Sequence, residues 1–305
     1  MQLFVEQVIN GIANGVVYGS VALALVLIFR TTGVLNFAQG EMALFSTYIT
    51  WKLASESDGA GLPVVAAIAI SMAIAFIAGA VIERMLIRPV EAARSPLNVV
   101  IVTLGLFLGL NSVAQLIFGT DPQQISSPFP EGNVELFSSG GDAAIISKAT
   151  IGMILVLVAE CILLWLLLQR TKLGLKLRAV ASNPDSARLH GIKSGRMLML
   201  GWAMAAAIGA LAGALVASSP QRAGFDGSLM QTILVYAFAA AALGGFDSLL
   251  GAVVSGVVVG VADALTIQYV DALDGIEVVL PLALIMVVLV VSPNGLFGRR
   301  TVERV

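Results

Sequence analysis

Nine polar side chains interrupt stretches of this sequence that are otherwise almost entirely apolar. They are six amides, Asn10, Asn14, Asn36, Gln39, Asn111 and Gln115, and three carboxyls, Glu41, Glu160 and Asp263. An amide can hydrogen-bond a polar solute, while a carboxyl in apolar surroundings must find a partner or hold its proton. Two interpretations therefore stay open: these groups edge a polar pathway, or they hydrogen-bond neighbouring helices to one another.

The parts needed for common enzyme chemistry are missing from the sequence. The chain has one histidine, His190, and one cysteine, Cys161, and it has no H-E-x-x-H or G-x-S-x-G motif. A metalloprotease, a serine hydrolase and a paired-aspartate protease are therefore disfavoured. The chain also lacks the G-x-x-x-x-G-K-[ST] loop that cradles ATP. We expect no enzyme activity, metal or cofactor, and energy for any transport must come from another polypeptide or from a gradient.

Composition places these polar groups in a membrane protein. The 305 residues are 58% hydrophobic and 12% charged, with a mean hydropathy of +0.95. The charged fraction is about half that of an average soluble domain. A helix of about 20 apolar residues spans the roughly 30 Å hydrocarbon core. Segments that fit this requirement lie near 8–29, 34–53, 62–82, 97–118, 149–168, 197–218, 229–245, 248–269 and 277–292.

The distribution of Lys and Arg predicts an orientation, since they concentrate in cytoplasmic loops. With the carboxyl terminus inside and nine alternating spans, Lys52, Lys148 and Arg222 are the three basic residues left outside. The other 14 of the 17 basic residues fall on the cytoplasmic side. The amino terminus is then outside, 119–147 is an external loop, and about 170–196 is the longest cytoplasmic segment.

Small residues at a spacing of four predict close helix packing. The stripes are Gly11, Gly15 and Gly19; Gly201, Ala205, Gly209 and Gly213; and Gly256 and Gly260. Such spacing lets membrane helices approach closely. The segment GVLNFAQGEM, residues 33–42, instead brings polar residues into the start of a span. It predicts non-helical backbone there, which is tolerated where protein or a water-filled cavity covers it.

The polar stretch 174–195 contains a short capped helix. Asn183 suits the N-cap, Pro184 the first helical position and Asp185 the first turn. Gly191 predicts the stop, which gives a helix from Pro184 to His190. We interpret His190 as a residue at the negative end of the helix dipole rather than as a ligand. A two-turn helix is marginal in water by itself, so it needs a surface to dock on.

Several motifs in register resemble one protein family. They are NFAQGE at 36–41, IERMLIRPV at 82–90, RAVASNPDSARLHGI at 178–192, LGGFDSLLGAVVSG at 243–256 and PNGLFGR at 293–299. The same order is found in the LivH-type permease subunits of branched-chain amino acid ABC importers, and the match extends over nearly the whole chain. The resemblance implies that the helix around 183–191 is a coupling helix. Its contact residues with an ATP-binding subunit would be Asn183, Pro184, Asp185, Ala187, Arg188 and Gly191.

The resemblance also implies a fold and a set of partners. The expected fold is all-α and polytopic, one transmembrane permease domain over 1–305 with about 8–10 transmembrane helices, some of them broken. The expected partners are ATP-binding cassette subunits that bind the ATP, a LivM-like second permease or a second copy of this chain, a periplasmic solute-binding protein and the lipid of the inner membrane, with no nucleic acid. The transported solute would be a branched-chain or related amino acid. Urea or short amides carried by the same family are the first alternative, and a self-sufficient secondary transporter or channel is the second.

Overall fold

A computed structural model describes residues 2–57, 59–91, 96–139, 142–219, 224–270, 276, 278–292 and 295–298. Five of the basic residues used to predict the orientation lie outside the described residues: Arg94, Arg222, Arg299, Arg300 and Arg304. Three residues of the PNGLFGR motif also lie outside them: Pro293, Asn294 and Arg299.

The described chain is built almost entirely of helices, which confirms the all-α prediction. The helices are α1 (Gln2–Thr32), α2 (Gln39–Ala54), α3 (Val64–Ile82), α4 (Arg88–Glu91), α5 (Pro96–Phe118), α6 (Lys148–Arg170), α7 (Lys172–Ser182), α8 (Pro184–Leu189), α9 (Ser194–Ala217), α10 (Leu229–Gly244), α11 (Leu249–Tyr269) and α12 (Val279–Val291). A π-helical turn, Glu83–Ile87, joins α3 to α4. Each of the nine predicted apolar segments overlaps one of these helices.

Helix length separates the predicted spans into two groups. Among the described residues, six helices are long and apolar enough to cross a membrane, beginning at Leu3, Val64, Leu97, Lys148, Ser194 and Leu249. The helices α2, α10 and α12 have 16, 16 and 13 residues. At 1.5 Å per residue, a 16-residue helix measures about 24 Å, which is shorter than a typical hydrocarbon core.

The second predicted span begins with the non-helical backbone predicted from GVLNFAQGEM: residues 33–38 are non-helical and the helix begins at Gln39. Two other local features differ from the sequence-based expectation. Residues 172–182 form α7, which was not predicted. Part of the expected external loop is an antiparallel hairpin of β1 (Asn133–Ser139) and β2 (Asp142–Ser147), in which Asn133 pairs with Ser147.

The chain divides into two compact units. The first contains Met1–Val26, Phe129–Leu157 and Thr232–Val305, and the second contains Leu27–Pro128 and Val158–Gln231.

Close packing of α1 on α11 holds the first unit together. A Cβ added at Gly11 would lie 2.5 Å from the Val261 Cα, and one at Gly15 would lie 2.6 Å from the Val257 Cα. Across the same contact, a Cβ on Gly256 would lie 2.5 Å from Gly19. Backbones this close leave no room for a side chain, which confirms the predicted packing role of these glycines.

Helix α9 is the centre of the second unit, where it contacts both α2 and α3. A Cβ at Gly209 would lie 2.6 Å from the Gln39 side chain, and a Cβ at Gly213 would meet the Thr47 hydroxyl. On α3, a Cβ at Gly79 would lie 2.7 Å from the Trp202 carbonyl oxygen. The predicted small-residue stripe on α9 is therefore a packing surface.

Candidate functional site

The first polar group in the second unit forms where the backbone breaks between α1 and α2. Asn36 is 1% exposed, and its Oδ1 accepts a hydrogen bond from the Ala38 N–H at 3.1 Å. Its Nδ2 donates to Gln39 Oε1 at 3.4 Å. Gln39 in turn donates from Nε2 to the Ala205 carbonyl oxygen of α9 at 3.0 Å. The non-helical turn predicted from NFAQGE is therefore held by its own amides and tied to α9.

The second polar group links α2 to α5 around a buried carboxyl. Glu41 is 1% exposed, and its Oε2 accepts a hydrogen bond from Asn111 Nδ2 at 2.9 Å. Asn111 also donates to the Gly227 carbonyl oxygen at 2.8 Å, and its Oδ1 accepts from Gln115 Nε2. Among the described residues, no hydrogen-bond partner reaches Glu41 Oε1. The Glu41 carboxyl is thus anchored by Asn111, and the Gln231 side chain also interacts with it.

The two groups face different neighbours because of the helical repeat of α2. Gln39 and Glu41 are two residues apart, which separates their side chains by about 200° around a helix of 3.6 residues per turn. Gln39 consequently contacts α9 while Glu41 contacts α5. Five of the seven predicted pathway residues lie in these two groups, Asn36 and Gln39 in the first and Glu41, Asn111 and Gln115 in the second.

An aromatic cluster next to the carboxyl was missed by the sequence analysis. Tyr48 lies two turns after Glu41 on α2 and is fully buried. Its ring stacks on Phe118, with centroids 5.0 Å apart and planes 2° apart, and it also contacts Phe225 at 5.0 Å. Within the described part of the chain its hydroxyl has no hydrogen-bond partner. The spacing of Glu41 and Tyr48, seven residues on one helix face, was the available signal.

The remaining predicted polar residues of α1 and α11 belong to the first unit. Asp263 is buried and accepts hydrogen bonds from the Tyr236 hydroxyl at 2.8 Å and the Tyr18 hydroxyl at 3.4 Å. The two tyrosine rings stack with centroids 4.6 Å apart. Asn10 is exposed and Asn14 is half-buried. The Asp263 carboxyl therefore ties α1, α10 and α11 together, and Glu160, in the second unit, is buried in α6.

The capped helix predicted after residue 182 is present as α8. The Asn183 side chain accepts a hydrogen bond from the Ser186 N–H at 2.8 Å, and Pro184 opens the helix. Gly191 has a φ of +76°, the left-handed conformation of a glycine helix stop, and the Ile192 N–H bonds the Ala187 carbonyl oxygen at 3.1 Å. His190 is the C-cap, and its Nδ1 lies 2.9 Å from the Ser186 carbonyl oxygen. The structure confirms these local predictions.

One side of α8 is presented to the outside of the unit. Ala187 is buried, whereas Leu189 is 89% exposed. Asp185 and Arg188 form an exposed i,i+3 pair at 3.5 Å. An apolar side chain flanked by charges on a rigid two-turn helix has the composition of a protein-docking surface.

Helix α9 connects α8 to the first polar group. The Ser194 hydroxyl at the start of α9 donates to the Pro184 carbonyl oxygen at 3.1 Å. Eleven residues later, the Ala205 carbonyl accepts the hydrogen bond from Gln39, a separation of about 16 Å along the helix. Helix α9 therefore contacts both α8 and the NFAQGE turn.

A protein-family model described as "Branched-chain amino acid transport system / permease component" matches residues 7–289. The chain belongs to this permease family. It is 29% identical over 311 aligned residues to the high-affinity branched-chain amino acid transport system permease protein LivH of Escherichia coli, covering 99% of this chain and 98% of that protein. This permease component is thus a multi-pass membrane protein whose relatives work in transport.

Two further similarities are weaker. The fructose import permease protein FruF of Bifidobacterium longum is 24% identical, covering 79% of this chain and 65% of that protein. The solved structure described as PsaBC from Streptococcus pneumoniae in complex with Fab aligns with a TM-score of 0.47 and 16% identity, covering 93% of this chain and 91% of that chain. A likeness at that level supports no conclusion about this chain.

Proposed function

We propose that this chain is the membrane-spanning permease subunit of an ABC importer in the inner membrane. It moves branched-chain or related amino acids inward, using ATP hydrolysed by separate ATP-binding subunits. Its amino terminus is outside and its carboxyl terminus is cytoplasmic. A LivM-like permease or a second copy completes the pair, and a periplasmic binding protein delivers the solute. Family membership and the LivH relative support the solute class.

The observation that carries this proposal is the exposed, doubly capped helix α8. Asn183 and Gly191 fix both of its ends, and Leu189 on its surface is available to a partner. Ser194 and Gln39 then connect it through α9 to buried polar groups. A chain that worked alone would have no use for a rigid, exposed apolar contact at this position. The arrangement suits a subunit that receives movement from a partner.

The alternative solutes within the family are urea and short amides. Asn111 and Gln115 present amide groups that suit a neutral solute, so these residues do not separate the two solute classes. Beside these amides, the Glu41 carboxyl suits the ammonium group of an amino acid, which urea and short amides lack. Because the related FruF is named for fructose import, relatives of this chain differ in the solute they are named for, and the solute of this chain must be measured directly.

Co-purification tests the assignment as an importer subunit. The tagged chain is expressed with the ATP-binding and solute-binding proteins encoded beside it, and the detergent-solubilised complex is analysed for its subunits. We expect stoichiometric ATP-binding subunits, and Leu189→Asp should release them while the exposed Leu175→Asp, on α7, should not. A chain that purifies alone and still catalyses uptake would support the autonomous transporter instead. Binding of leucine and of urea to the solute-binding protein then decides between the solute classes.

A further inference from the structure

A partly buried ion pair lies at the π-helical turn between α3 and α4. The Glu83 side chain is 0% exposed and the Arg88 side chain is 40% exposed, and the guanidinium binds both carboxyl oxygens of Glu83. Arg88 Nε donates to Glu83 Oε1 at 3.2 Å and Nη2 donates to Oε2 at 3.0 Å. Two parallel hydrogen bonds of this kind fix direction as well as distance.

The π-helical turn is what allows this pair to form. In a regular α-helix, residues five apart point about 140° away from each other, so Glu83 and Arg88 would face different sides. A π-turn closes a hydrogen bond between residues i and i+5, which brings these two residues one above the other. The Arg88 N–H accordingly bonds the Glu83 carbonyl oxygen. Backbone and side chains of the same two residues thus support one another.

Arg88 also reaches the first turn of α9. Its Nη2 donates to the Gly195 carbonyl oxygen. A Cβ at position 195 would lie 2.9 Å from the Arg88 guanidinium carbon, so glycine is needed for the guanidinium to approach. The preceding residue, Ser194, bonds the Pro184 carbonyl oxygen of α8. The start of α9 is therefore held by α8 on one side and by the Glu83–Arg88 pair on the other.

We propose that Glu83 and Arg88 are positioning residues that clamp the start of α9 to α3, so that movement of α8 is passed to both helices together. The proposal rests on the proposed function of α8 as the contact with an ATP-binding subunit. Further along, Gly79 packs on the Trp202 backbone. With the clamp in place, α3 and α9 share contacts at two levels and move as one body. Without it, the first turn of α9 can shift while the remainder of both helices stays still.

The test compares Arg88→Lys with Arg84→Lys in the assembled complex. Lysine keeps the charge at position 88, but its ammonium group cannot form the two parallel hydrogen bonds to Glu83 that the guanidinium forms while it also reaches the Gly195 carbonyl. Arg84 lies exposed in the same π-helical turn and serves as the matched control. Uptake into vesicles and ATP hydrolysis are measured on equal amounts of complex. We expect Arg88→Lys to lower uptake per ATP hydrolysed about tenfold, the effect of losing one charge-assisted hydrogen bond, and Arg84→Lys to leave it unchanged.

The ratio of uptake to hydrolysis separates positioning from simple structural support. If Arg88→Lys only lowers the amount of complex, with a normal ratio in what remains, the clamp does not transmit movement and the proposal is overturned. A normal ratio and a normal amount would overturn it as well. Asn183→Ala, which removes the α8 cap, separates the proposal for the Glu83–Arg88 clamp from the proposal that α8 contacts an ATP-binding subunit. If Asn183→Ala uncouples hydrolysis but Arg88→Lys does not, only the clamp fails; if neither does, the function proposed for α8 fails too.

Discussion

Gly191→Val tests whether the geometry of α8 matters to coupling. Gly191 has a φ of +76°, and no atom of the described residues lies within 4 Å of where a Cβ would be, so crowding by them does not oppose valine. The cost is backbone strain, roughly 1–2 kcal/mol for a side chain forced into the left-handed region. That cost lowers the equilibrium population of the left-handed conformation at position 191 by a factor of about 5–30. A membrane bundle tolerates this loss, but a six-residue helix that must present Leu189 to a partner does not.

The assay measures binding of the ATP-binding subunits and solute uptake with each variant. We expect Gly191→Val to insert normally, to retain 5- to 30-fold less of those subunits by the same estimate, and to lower uptake in parallel. Gly61→Val is the matched control, because Gly61 also has a positive φ, of +63°, and in the part of the chain that the structure describes no atom lies within 4 Å of the added Cβ. The backbone strain in the two variants is similar, but in Gly61→Val it lies in the loop between α2 and α3. Equal loss of binding in both variants, or in neither, would refute the argument.

Three further predictions concern two buried groups and one half-buried carboxyl. Glu41→Gln keeps an acceptor for Asn111 but removes the ionisable carboxyl, so we expect lower solute uptake with normal assembly; unchanged uptake would assign Glu41 to packing. Gly260→Ala places a Cβ against the α1 backbone and should lower the free energy of unfolding by about 1–3 kcal/mol, whereas Gly105→Ala on α5, where no described atom lies within 4 Å of the added Cβ, should not. Hydrogen bonds from Ser228 lower the pKa of Asp226, so its contribution to stability is present above the ordinary aspartate pKa of about 4 and is lost as pH falls through the lowered pKa. Asp226→Asn should therefore lower the melting temperature at pH 7, with a difference from the wild type that shrinks as pH falls below about 4; an equal effect at every pH would contradict this reasoning.

Local sequence was sufficient to predict features that depend on a few neighbouring residues. The Asn183 cap and the Gly191 stop follow from chemistry within one or two turns, and both are in the structure. The close packing at Gly11 and Gly15 was also predictable, because a four-residue glycine repeat in a membrane helix has few other uses.

Features that depend on distant contacts could not be predicted from the sequence. The Glu83–Arg88 pair in the π-helical turn also bonds Gly195, which is more than one hundred residues away along the chain. The partners of Gln39 and Glu41, on α9 and α5, likewise lie far away in the sequence. Helix α7 was missed because its lysines and arginine resemble a solvated loop, although Thr171 caps it by accepting a hydrogen bond from the Gly174 N–H.

ATP-dependent uptake in proteoliposomes tests the central proposal most directly. The chain is reconstituted with its permease partner, the ATP-binding subunits and the solute-binding protein, and labelled leucine uptake is measured with ATP, with a non-hydrolysable analogue, and with an ion gradient alone. We predict uptake only when ATP and the ATP-binding subunits are both present. Leucine uptake by this chain without those subunits, driven by the gradient, would contradict the proposal.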